Sequence, residues 1–599
     1  MKVKLSEYIA DFLVRHEIKH VFTITGGGAM HLNDSLGHKS GLACVYNHHE
    51  QACAIAAEAY ARFSGKIAAV CVTSGPGGTN AITGVLGGWL DSIPMLVISG
   101  QVKRATTTWA VDIPLRQLGD QEYNIVASVE PMTKYAVMVT EPEKIRYHLE
   151  KALYLAINGR PGPVWLDIPL DVQATVIDTE ELEGFSEEEL ERKENPEFDR
   201  KLLPEILSRI FKAKRPVILA GTGIRIADAY PEFVKAVEKL QIPVVTAWNA
   251  HDLLWQDHPL DCGRPGTVGT RGGNFVVQKS DLLISLGCRL NIRMISYNDH
   301  DFARNAYKII VDIDENELRK PTITPDLPVH ADVRDVLKAI AESGYESNPA
   351  HRKWLKWCRE INKQYPVVLP EYYDKKSPVN PYAFMKELSK QMKEGDSVIC
   401  GNGSACVISF QAMELKKGQR MFTNSGCAAM GYGFPAAIGV CVADHGKQTI
   451  CIDGDGSFQM NLQELQTVVY QHLNIKIIYL NNNGYHSIRQ TQTNLFQPPL
   501  VGVCDGNGLS FPDMERIAWA YRIPFSRIKN IDEASAELKR IFETDGPVIC
   551  EVVLDENQIF SPKLSSKVLE DGRIVSPPME DMYPFLPKEE LERVMKEEI

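Results

Sequence analysis

The sequence predicts an α/β protein with three doubly wound parallel-sheet domains. Short apolar runs of strand length recur along the chain, and Gly-rich loops and helix-like segments separate them. One unit shows the pattern clearly: the run Gln448 to Asp453, the turn Gly454 to Ser457, a helix-like segment Asn461 to His472 and the run Ile475 to Leu480. Strands that alternate with helices in this way form βαβ units in a parallel sheet.

Chain length and an internal echo support more than one such domain. At 599 residues, a prior of roughly 150 residues per domain gives three to four domains. A small-residue helix, Gly65-Lys66, an apolar strand and a Gly-rich loop recur as Ala436 to Ala443, Gly446-Lys447, Gln448 to Ile452 and Gly454 to Gly456. This repetition indicates two halves of similar architecture.

Composition excludes several classes of protein. The net charge of −12 argues against a nucleic-acid binder and against attachment to an anionic membrane. The 13 cysteines are scattered without a Cys-x-x-Cys pair, which indicates buried thiols in a reducing compartment. The N-terminus lacks the apolar core of a signal peptide, and the apolar stretch Cys427 to Ala443 is too short to span a bilayer. We expect a cytoplasmic protein, with 427–443 as a tightly packed helix.

The predicted domains follow one another along the chain. Residues 1–177 form the first αβ domain, with glycines at Gly26 to Gly28 and a strand that runs into His48-His49-Glu50-Gln51. An acidic segment, 178–200, reads as a linker or a solvated helix. Residues 201–342 form a middle domain, 343–378 a second connection and 379–554 the third domain. Residues 555–599, rich in Pro and charge, form a tail that covers another surface.

Polar residues follow the two strands of the opening unit. Asp455 and Asn482 lie beyond successive strands, and the carboxyl ends of parallel strands meet at one edge of a sheet. Carboxylate and amide oxygens suit a Mg²⁺ ion that also binds phosphate. Gly456 allows a close backbone approach, and Ser457 and the amides of the helix start can bind an anion. The alternative is an ordinary βα turn.

These residues resemble the thiamine-diphosphate motif, and the chain from about residue 4 to 555 is similar to the acetolactate synthase group of that superfamily. The resemblance implies that Asp455, Asn482 and the Gly484 carbonyl hold Mg²⁺, with Gly456 and Ser457 on the diphosphate. Gly403 and Ser404 match the family's other diphosphate-binding turn, although the glutamine and histidine usual there are absent. The three domains then bind the pyrimidine, a nucleotide such as FAD, and the diphosphate.

Two further segments match cofactor-activating parts of the family. Glu50 falls in a His-Glu-Gln signature, which implies that its carboxylate activates the aminopyrimidine; without the resemblance it would be a helix N-terminal glutamate. Met430 falls on the apolar wedge under the bent cofactor, and its alternative is a core methionine. Gly27, Gly28 and Gln121 match substrate-side loops.

Three arginines match flavin contacts of acetolactate synthases: Arg160, Arg289 and Arg293. A bidentate guanidinium suits a dinucleotide diphosphate. The alternative for Arg289 and Arg293 is a surface stripe of ion pairs. We therefore expect FAD, which net redox chemistry does not require in such enzymes.

Departures from the family concern the acceptor pocket. Asp120 replaces a phenylalanine, Leu170 a lysine and Thr491 a tryptophan. Polar residues surround Thr491, which predicts a roomier and wetter site suited to a polyol or sugar; they are His486, Ser487, Arg489, Gln490 and Asn494.

The resulting expectation is a carboligase that decarboxylates a 2-oxoacid such as pyruvate. It transfers the two-carbon acyl carbanion to a carbonyl acceptor, for instance a keto-sugar nucleotide. The alternatives are a true acetolactate synthase, a 2-oxoacid decarboxylase or C–C bond lyase, and a cofactor-binding subunit without catalysis. The resemblance also implies a homodimer or homotetramer, with Glu50 from one subunit and the metal site from the other.

Overall fold

Three parallel sheets form the framework of the chain in a computed structural model, which describes residues 1–190, 195–496, 498–568, 571 and 573–599. The predicted α/β class with three doubly wound sheets is confirmed. Part of the predicted linker, 191–194, lies outside the described residues. The domain boundaries given above stay predictions.

The first sheet lies within the first 178 residues and has six parallel strands in the order β3-β2-β4-β5-β7-β6. A short antiparallel pair, β1 with β8, closes the region. The elements are β1 Lys2–Lys4, α1 Leu5–Arg15, β2 His20–Thr23, α2 Met30–His38, β3 Ala43–Tyr46, α3 Glu50–Ser64, β4 Ala69–Val72, α4 Pro76–Asp91, β5 Met95–Gln101, α5 Ile125–Val129, β6 Tyr135–Met138, α6 Ile145–Ile157, β7 Pro163–Pro169, α7 Leu170–Ala174 and β8 Val176–Asp178.

The second sheet has five parallel strands in the order β10-β9-β11-β12-β13. Helix α14, inside the predicted second connection, packs two buried indoles, Trp354 and Trp357, against this region. The elements are α8 Leu203–Lys212, β9 Pro216–Ala220, α9 Gly223–Ile226, α10 Tyr230–Leu240, β10 Val244–Thr246, α11 Arg271–Lys279, β11 Leu282–Leu286, β12 Tyr307–Asp312, α12 Glu315–Arg319, β13 Leu327–His330, α13 Val333–Glu342 and α14 His351–Gln364.

The third sheet has six parallel strands in the order β15-β14-β16-β17-β19-β18. The elements are α15 Pro381–Gln391, β14 Ser397–Cys400, α16 Ser404–Ala412, β15 Arg420–Phe422, α17 Gly433–Ala443, β16 Thr449–Gly454, α18 Asp455–Phe458, a 3₁₀ segment Gln459–Glu464, α19 Leu465–Tyr470, β17 Ile475–Asn481, α20 His486–Leu495, α21 Met514–Tyr521, β18 Phe525–Ile528, α22 Ile531–Glu543, β19 Val548–Val553, β20 Lys567–Val568, β21 Ile574–Val575 and α23 Lys588–Lys596.

The first and third sheets share one topology. Numbered from the first strand of each sheet, both run in the order 2-1-3-4-6-5. The echo seen in the sequence falls on equivalent elements, because α3 with β4 and α17 with β16 each precede a Gly-rich loop after the third strand. The expected similarity of the two halves is therefore confirmed.

The two equivalent helices pack against each other. A Cβ at Gly439 in α17 would overlap the carbonyl group of Ala56 in α3, and a Cβ at Gly84 in α4 would lie 2.5 Å from the Cβ of Ala54. Only small residues allow backbones to approach this closely. Gly439 of α17, opposite the small residues of α3, thus explains how the first and third regions come into contact.

The C-terminal tail lies against the middle region, which is the surface that it covers. Buried Lys279 donates from Nζ to the carbonyls of Val594, Met595 and Glu597, which closes the end of α23. Gln278 donates to buried Glu580 at 2.7 Å. These bonds satisfy the last carbonyls of the helix and fix the tail in place.

Two predicted helices differ from the structure. The helix expected at 461–472 begins earlier, at Asp455, and is interrupted because Asn461 has φ −133° and ψ 29°. In the stretch 427–443 the helix begins only at Gly433, because Ala428 and Gly431 have positive φ. In both cases side-chain and backbone contacts described below outweigh the local helical pattern. Within the described residues, no helix is both long and apolar enough to cross a membrane.

Candidate active site

The candidate diphosphate site lies at the carboxyl edge of the third sheet. Strands β14 and β16 are neighbours there, but the chain leaves them toward opposite edges, which makes this the topological switch point. Gly403 and Ser404 follow β14, Asp455 follows β16 and Asn482 follows β17. The structure therefore brings together the loops that the sequence singled out.

Asp455 is held by backbone N–H groups from two loops. Its Oδ1 accepts from Gly456 N at 2.7 Å, and its Oδ2 accepts from Asn482 N at 3.2 Å and from Gly484 N at 3.0 Å. The residue is 2% exposed. Burial raises the pKa of Asp455 to about 6, although these N–H donors oppose the rise. A nearby cation would offset the cost of ionising this buried carboxylate.

The loop after β17 turns back over this carboxylate. Asn483 has φ +55° and Gly484 has φ +139°, a value that favours glycine. Arg489 of α20 holds the turn by donating to the carbonyls of Asn482 at 3.1 Å and Asn483 at 2.6 Å. Asn482 Nδ2 reaches Ser404 Oγ at 3.4 Å, which joins the two predicted diphosphate loops.

One buried oxygen of this site has no partner. Asn482 Oδ1 is buried and makes no hydrogen bond, although a buried polar atom without a partner is costly. An amide oxygen beside a buried carboxylate is the donor set that Mg²⁺ prefers. The residues present therefore fit a magnesium ion that also binds phosphate oxygens.

Neighbouring residues close the rest of the turn. A Cβ at Gly456 would overlap the ring of Tyr485, so only glycine fits there. The Ser457 hydroxyl accepts from Gly431 N at 2.9 Å. Ser457 thus holds the loop of residue 431, in addition to the anion-binding role predicted from sequence.

Glu50 opens helix α3 at the edge of the first sheet. His49 is the N-cap and accepts from Gln51 N at 3.1 Å, and Glu50 Oε2 accepts from Asn80 Nδ2 at 3.0 Å. Glu50 is partly exposed, so its carboxylate has room for a further donor. The structure is compatible with both interpretations of Glu50, as a helix N-terminal residue and as the activating carboxylate.

The segment with Met430 lies between the first and third regions. Met430 is half-buried, and it belongs to none of the hydrophobic core clusters of the described residues. The next residue, Gly431, has φ +82°, and its carbonyl accepts from Asn461 Nδ2 at 2.7 Å. The side chain of Met430 is therefore presented by a fixed loop and not by a core.

The predicted substrate-side residues of the first region also meet. Gly28 N donates to Thr73 Oγ1 at 3.0 Å, and a Cβ at Gly28 would lie 2.5 Å from Ser74 Oγ. A Cβ at Gly75 would lie 2.6 Å from the carbonyl oxygen of Gln121. Gly27 has open space around it. The loops after β2, β4 and β5 therefore form one surface.

Glu122 organises the last of these loops. Its carboxylate accepts from the backbone N–H groups of Thr108, Leu118 and Gly119. Although burial acts in the opposite direction, these donors lower the pKa of Glu122 overall. The loop that carries Gln121 is thus folded around one carboxylate, which the sequence did not indicate.

The expected wet surface around Thr491 is partly wrong. His486 Nε2 lies 2.9 Å from the carbonyl of Gln558 and 2.6 Å from Gln490 Nε2, and both residues are buried. Arg489 is committed to the carbonyls described above. Thr491 itself is exposed, but its hydroxyl donates to the Ser487 carbonyl within its own helix at 3.1 Å. His486, Gln490 and Arg489 hold the tail and the loop after β17, so they do not supply free groups to a substrate, whereas Asn494 is exposed.

The three predicted flavin arginines line one cavity. It has a volume of about 720 Å³ and is bounded by all three regions of the chain. Strands β9, β11 and β12 end at this cavity. Gly221 and Gly287 directly follow β9 and β11, and Asp312 is the last residue of β12. A cavity of this size and position suits a nucleotide.

Carboxylates already pair with two of these arginines. Arg160 Nη1 donates to Asp314 at 2.9 Å and to Glu317 at 3.0 Å, and Arg289 Nε donates to Glu317 at 3.1 Å. The guanidinium of Arg293 lies 5.9 Å from the centre of the Trp248 ring. Arg289 thus makes an ion pair, as the alternative expected, but its side chain lines a cavity instead of forming an outer surface stripe.

Some predicted partners remain apart within one chain. Among the described residues, no hydrogen bond or ion pair joins Glu50 to Asp455 or Thr491 to Gln121. The sequence missed Asn461, Glu464, Asp314 and Glu317, whose partners are distant along the chain. Single polar residues in helical segments gave no local signal for these contacts.

Comparison with known families defines the class. The profile of the thiamine pyrophosphate enzyme N-terminal TPP binding domain matches residues 3–125, that of the central domain matches 203–340 and that of the C-terminal TPP binding domain matches 401–552. Thiamine pyrophosphate is another name for thiamine diphosphate. The chain is therefore a member of the thiamine-diphosphate-dependent enzymes.

Full-length relatives narrow this assignment. The chain is 31% identical to the acetolactate synthase large subunit of Cyanidium caldarium, covering 92% of this chain and 93% of that protein. It is 30% identical to the acetolactate synthase isozyme 1 large subunit of Escherichia coli, covering 93% and 95%. It is 30% identical to the acetolactate synthase large subunit of Lactococcus lactis, covering 95% of this chain and 96% of that protein. The chain belongs to the acetolactate synthase large-subunit family.

Proposed function

We propose that this enzyme decarboxylates a 2-oxoacid, with pyruvate as the first candidate, and transfers the two-carbon acyl unit to a carbonyl acceptor. The observation that carries the proposal is the buried pair of Asp455 and Asn482, in which one amide oxygen lacks a partner. The relatives named acetolactate synthase, matched over nearly their whole length, support the same reaction type. The same pair argues against the alternative of a subunit without catalysis.

The metal-binding role falls to three groups of the third region. Asp455, Asn482 Oδ1 and the Gly484 carbonyl would hold Mg²⁺, and Gly403, Ser404, Gly456 and Ser457 would face the diphosphate. When bound, thiamine diphosphate supplies an electron sink for the carbanion left by decarboxylation. Met430, fixed by the loop of Gly431, would support the cofactor from its apolar side.

Glu50 is the proposed catalytic carboxylate. It would hold a proton against the pyrimidine ring nitrogen, so that the exocyclic amine can act as a base. Asn80 Nδ2 donates to this carboxylate at 3.0 Å and so orients it. Because Glu50 and Asp455 make no direct contact within one chain, we propose a homodimer or homotetramer in which each site uses both subunits.

The acceptor proposal rests on size. Thr491 is exposed and small where the resembled family has an indole, so a larger carbonyl compound can enter. The other exposed side chains on the same helix are of mixed polarity: Ile488 and Leu495 are apolar, and Thr493 and Asn494 are polar. The polarity of α20 therefore gives little support to the proposal that the acceptor is a sugar. A keto-sugar nucleotide is proposed because of its large size. A true acetolactate synthase is the second candidate, which the names of the relatives favour.

An acceptor panel tests this proposal. Labelled pyruvate is supplied with 2-oxoacids, simple aldehydes and keto-sugar nucleotides, and kcat/KM is compared for each acceptor. We expect the larger carbonyl compounds to win, and Thr491→Trp to shift preference toward pyruvate, while Thr491→Val does not. A clear preference of the unmodified enzyme for pyruvate or 2-oxobutyrate would identify an ordinary acetolactate synthase.

We further propose that the cavity of about 720 Å³ binds FAD or another adenine dinucleotide. Its support is the convergence of Arg160, Arg289 and Arg293 on one space at the ends of parallel strands. A bound diphosphate would compete with Asp314 and Glu317 for these guanidinium groups. The absorbance spectrum and mass analysis of ligand released from the purified protein test this.

A further inference from the structure

The turn that carries Glu50 is held from both sides by the third region of the same chain. Before Glu50, Asn47 Nδ2 donates to Glu464 Oε2 at 2.9 Å, and His48 N donates to Glu464 Oε1 at 2.9 Å. After it, Gln51 Oε1 accepts from Asn461 Nδ2 at 3.0 Å. These partners lie more than 400 residues away, on the 3₁₀ segment Gln459–Glu464.

Glu464 is chemically suited to this contact. It is 0% exposed, and a third donor, Thr467 Oγ1, reaches its Oε2 at 2.7 Å. Both oxygens of an ionised carboxylate accept, whereas a glutamine would replace one acceptor with a donor. Three donors therefore converge on this carboxylate, whereas a glutamine would direct an NH₂ group at one of its present donors.

The same segment reaches the candidate diphosphate loop. Asn461 Nδ2 also donates to the carbonyl of Gly431 at 2.7 Å, and Gly431 N donates to Ser457 Oγ at 2.9 Å. Asn461 leaves helical geometry to make these contacts, with φ −133°. A continuous hydrogen-bonded path thus runs from Gln51 to Ser457.

We propose that Glu464 and Asn461 are positioning residues for Glu50, and that they set the placement of its carboxylate from the third region. Glu464 fixes the backbone before Glu50 and Asn461 fixes the residue after it. The inference rests on the proposed catalytic role of Glu50. It adds residues that act through Glu50 and touch neither the diphosphate nor the metal-binding atoms.

The test uses Glu464→Gln in the full-length enzyme reconstituted with Mg²⁺ and thiamine diphosphate. Two quantities are measured: exchange of the reactive C–H of the bound cofactor with deuterium, followed by NMR, and the Kd of the cofactor by calorimetry. We expect the exchange rate and kcat to fall about 10- to 100-fold, since small misplacements of a catalytic group cost that much. The Kd and KM should change less than about threefold, because the metal-binding residues are intact.

A matched control is Glu580→Gln. Glu580 is another buried glutamate; it lies in the tail and accepts from Gln278 and Arg304. Replacing its carboxylate by an amide should leave cofactor exchange at the wild-type rate. Asn47→Ala removes the same contact from the opposite side and should slow exchange in the same direction. Asn47→Ala becomes the test variant if circular dichroism shows that Glu464→Gln does not fold.

Three outcomes would overturn the inference: wild-type exchange in folded Glu464→Gln, wild-type exchange in Asn47→Ala, or loss of cofactor affinity in parallel with the rate. Glu50→Gln separates this failure from failure of the proposed function. If Glu50→Gln keeps activity, the catalytic role itself is wrong. If Glu50→Gln is inactive while Glu464→Gln is normal, only the positioning role is wrong.

Discussion

Replacing Asp455 by asparagine should separate ligand binding from folding. In the protein without ligand, burial raises the pKa of Asp455 from 3.8 to about 6. At 1.36 kcal/mol per pKa unit, the ionised form costs about 3 kcal/mol at pH 8. The structure thus retains a carboxylate that destabilises the ligand-free protein.

The asparagine variant removes this cost but loses one acceptor. Its amide oxygen can still accept from Asn482 N and Gly484 N, while its NH₂ group faces Gly456 N. One buried donor left without a partner costs about 1–3 kcal/mol. The ligand-free variant should therefore be as stable as the wild type at pH 8, or more stable by up to about 2 kcal/mol. Its affinity for Mg²⁺ and thiamine diphosphate should fall at least about 100-fold, because a direct metal ligand is lost.

Urea denaturation of the ligand-free proteins and calorimetry of magnesium-dependent cofactor binding measure the two effects. Asp167→Asn is the control, because Asp167 is a fully buried carboxyl whose pKa burial raises to about 7, and it contacts Ser99 and Gln101. That variant should keep the cofactor Kd. The reasoning is refuted if Asp455→Asn binds the cofactor normally in the presence of Mg²⁺. It is also refuted if the ligand-free variant loses more than about 2 kcal/mol, since reduced affinity would then reflect damage to the fold.

Three further predictions concern the other sites. Glu50→Gln should retain thiamine diphosphate in calorimetry while turnover falls about 10²- to 10⁴-fold, and a variant with most of its activity would contradict the role of Glu50. Arg289→Ala should weaken nucleotide binding in the cavity about tenfold or more. Arg304 pairs with Glu580 outside the cavity, so Arg304→Ala should not weaken this binding. Because the pKa of Glu122 is depressed, the order of the loop at 108–119 should be present above the ordinary glutamate value of 4.5 and be lost as pH falls through the lower folded value. Hydrogen exchange of that loop, corrected for intrinsic rates, should show this in the wild type and pH-independent loosening in Glu122→Gln.

The sequence predicted those features that depend on neighbours in the chain. The unit from Gln448 to Leu480 was recognisable because apolar runs and glycines alternate locally. The observed strands β16 and β17 coincide closely with its two predicted strands. Contacts such as Glu464 with Asn47 could not be predicted, because 417 positions separate the two residues. The polar groups near Thr491 were misinterpreted for the same reason, since their partners lie in the tail.

The interruption at Asn461 shows how such contacts override a local pattern. Residues 461–472 have the spacing of one helix, yet Asn461 leaves helical geometry. Its side chain donates to Gln51 and to the carbonyl of Gly431, and both partners belong to other loops. Local propensity is a weak preference, so these two hydrogen bonds, one buried and one partly buried, are enough to interrupt the helix at Asn461.

The shared topology of the first and third sheets accounts for the arrangement of the proposed catalytic groups. Helices α3 and α17 occupy equivalent places, between the second and third strands of their sheets. Glu50 opens α3, and Met430 lies three residues before the start of α17. The proposed activating carboxylate and the proposed apolar support therefore lie at equivalent positions of two related halves. Because Gly439 allows α17 to pack directly on α3, a substitution at this contact should disturb both features together, although neither residue touches it.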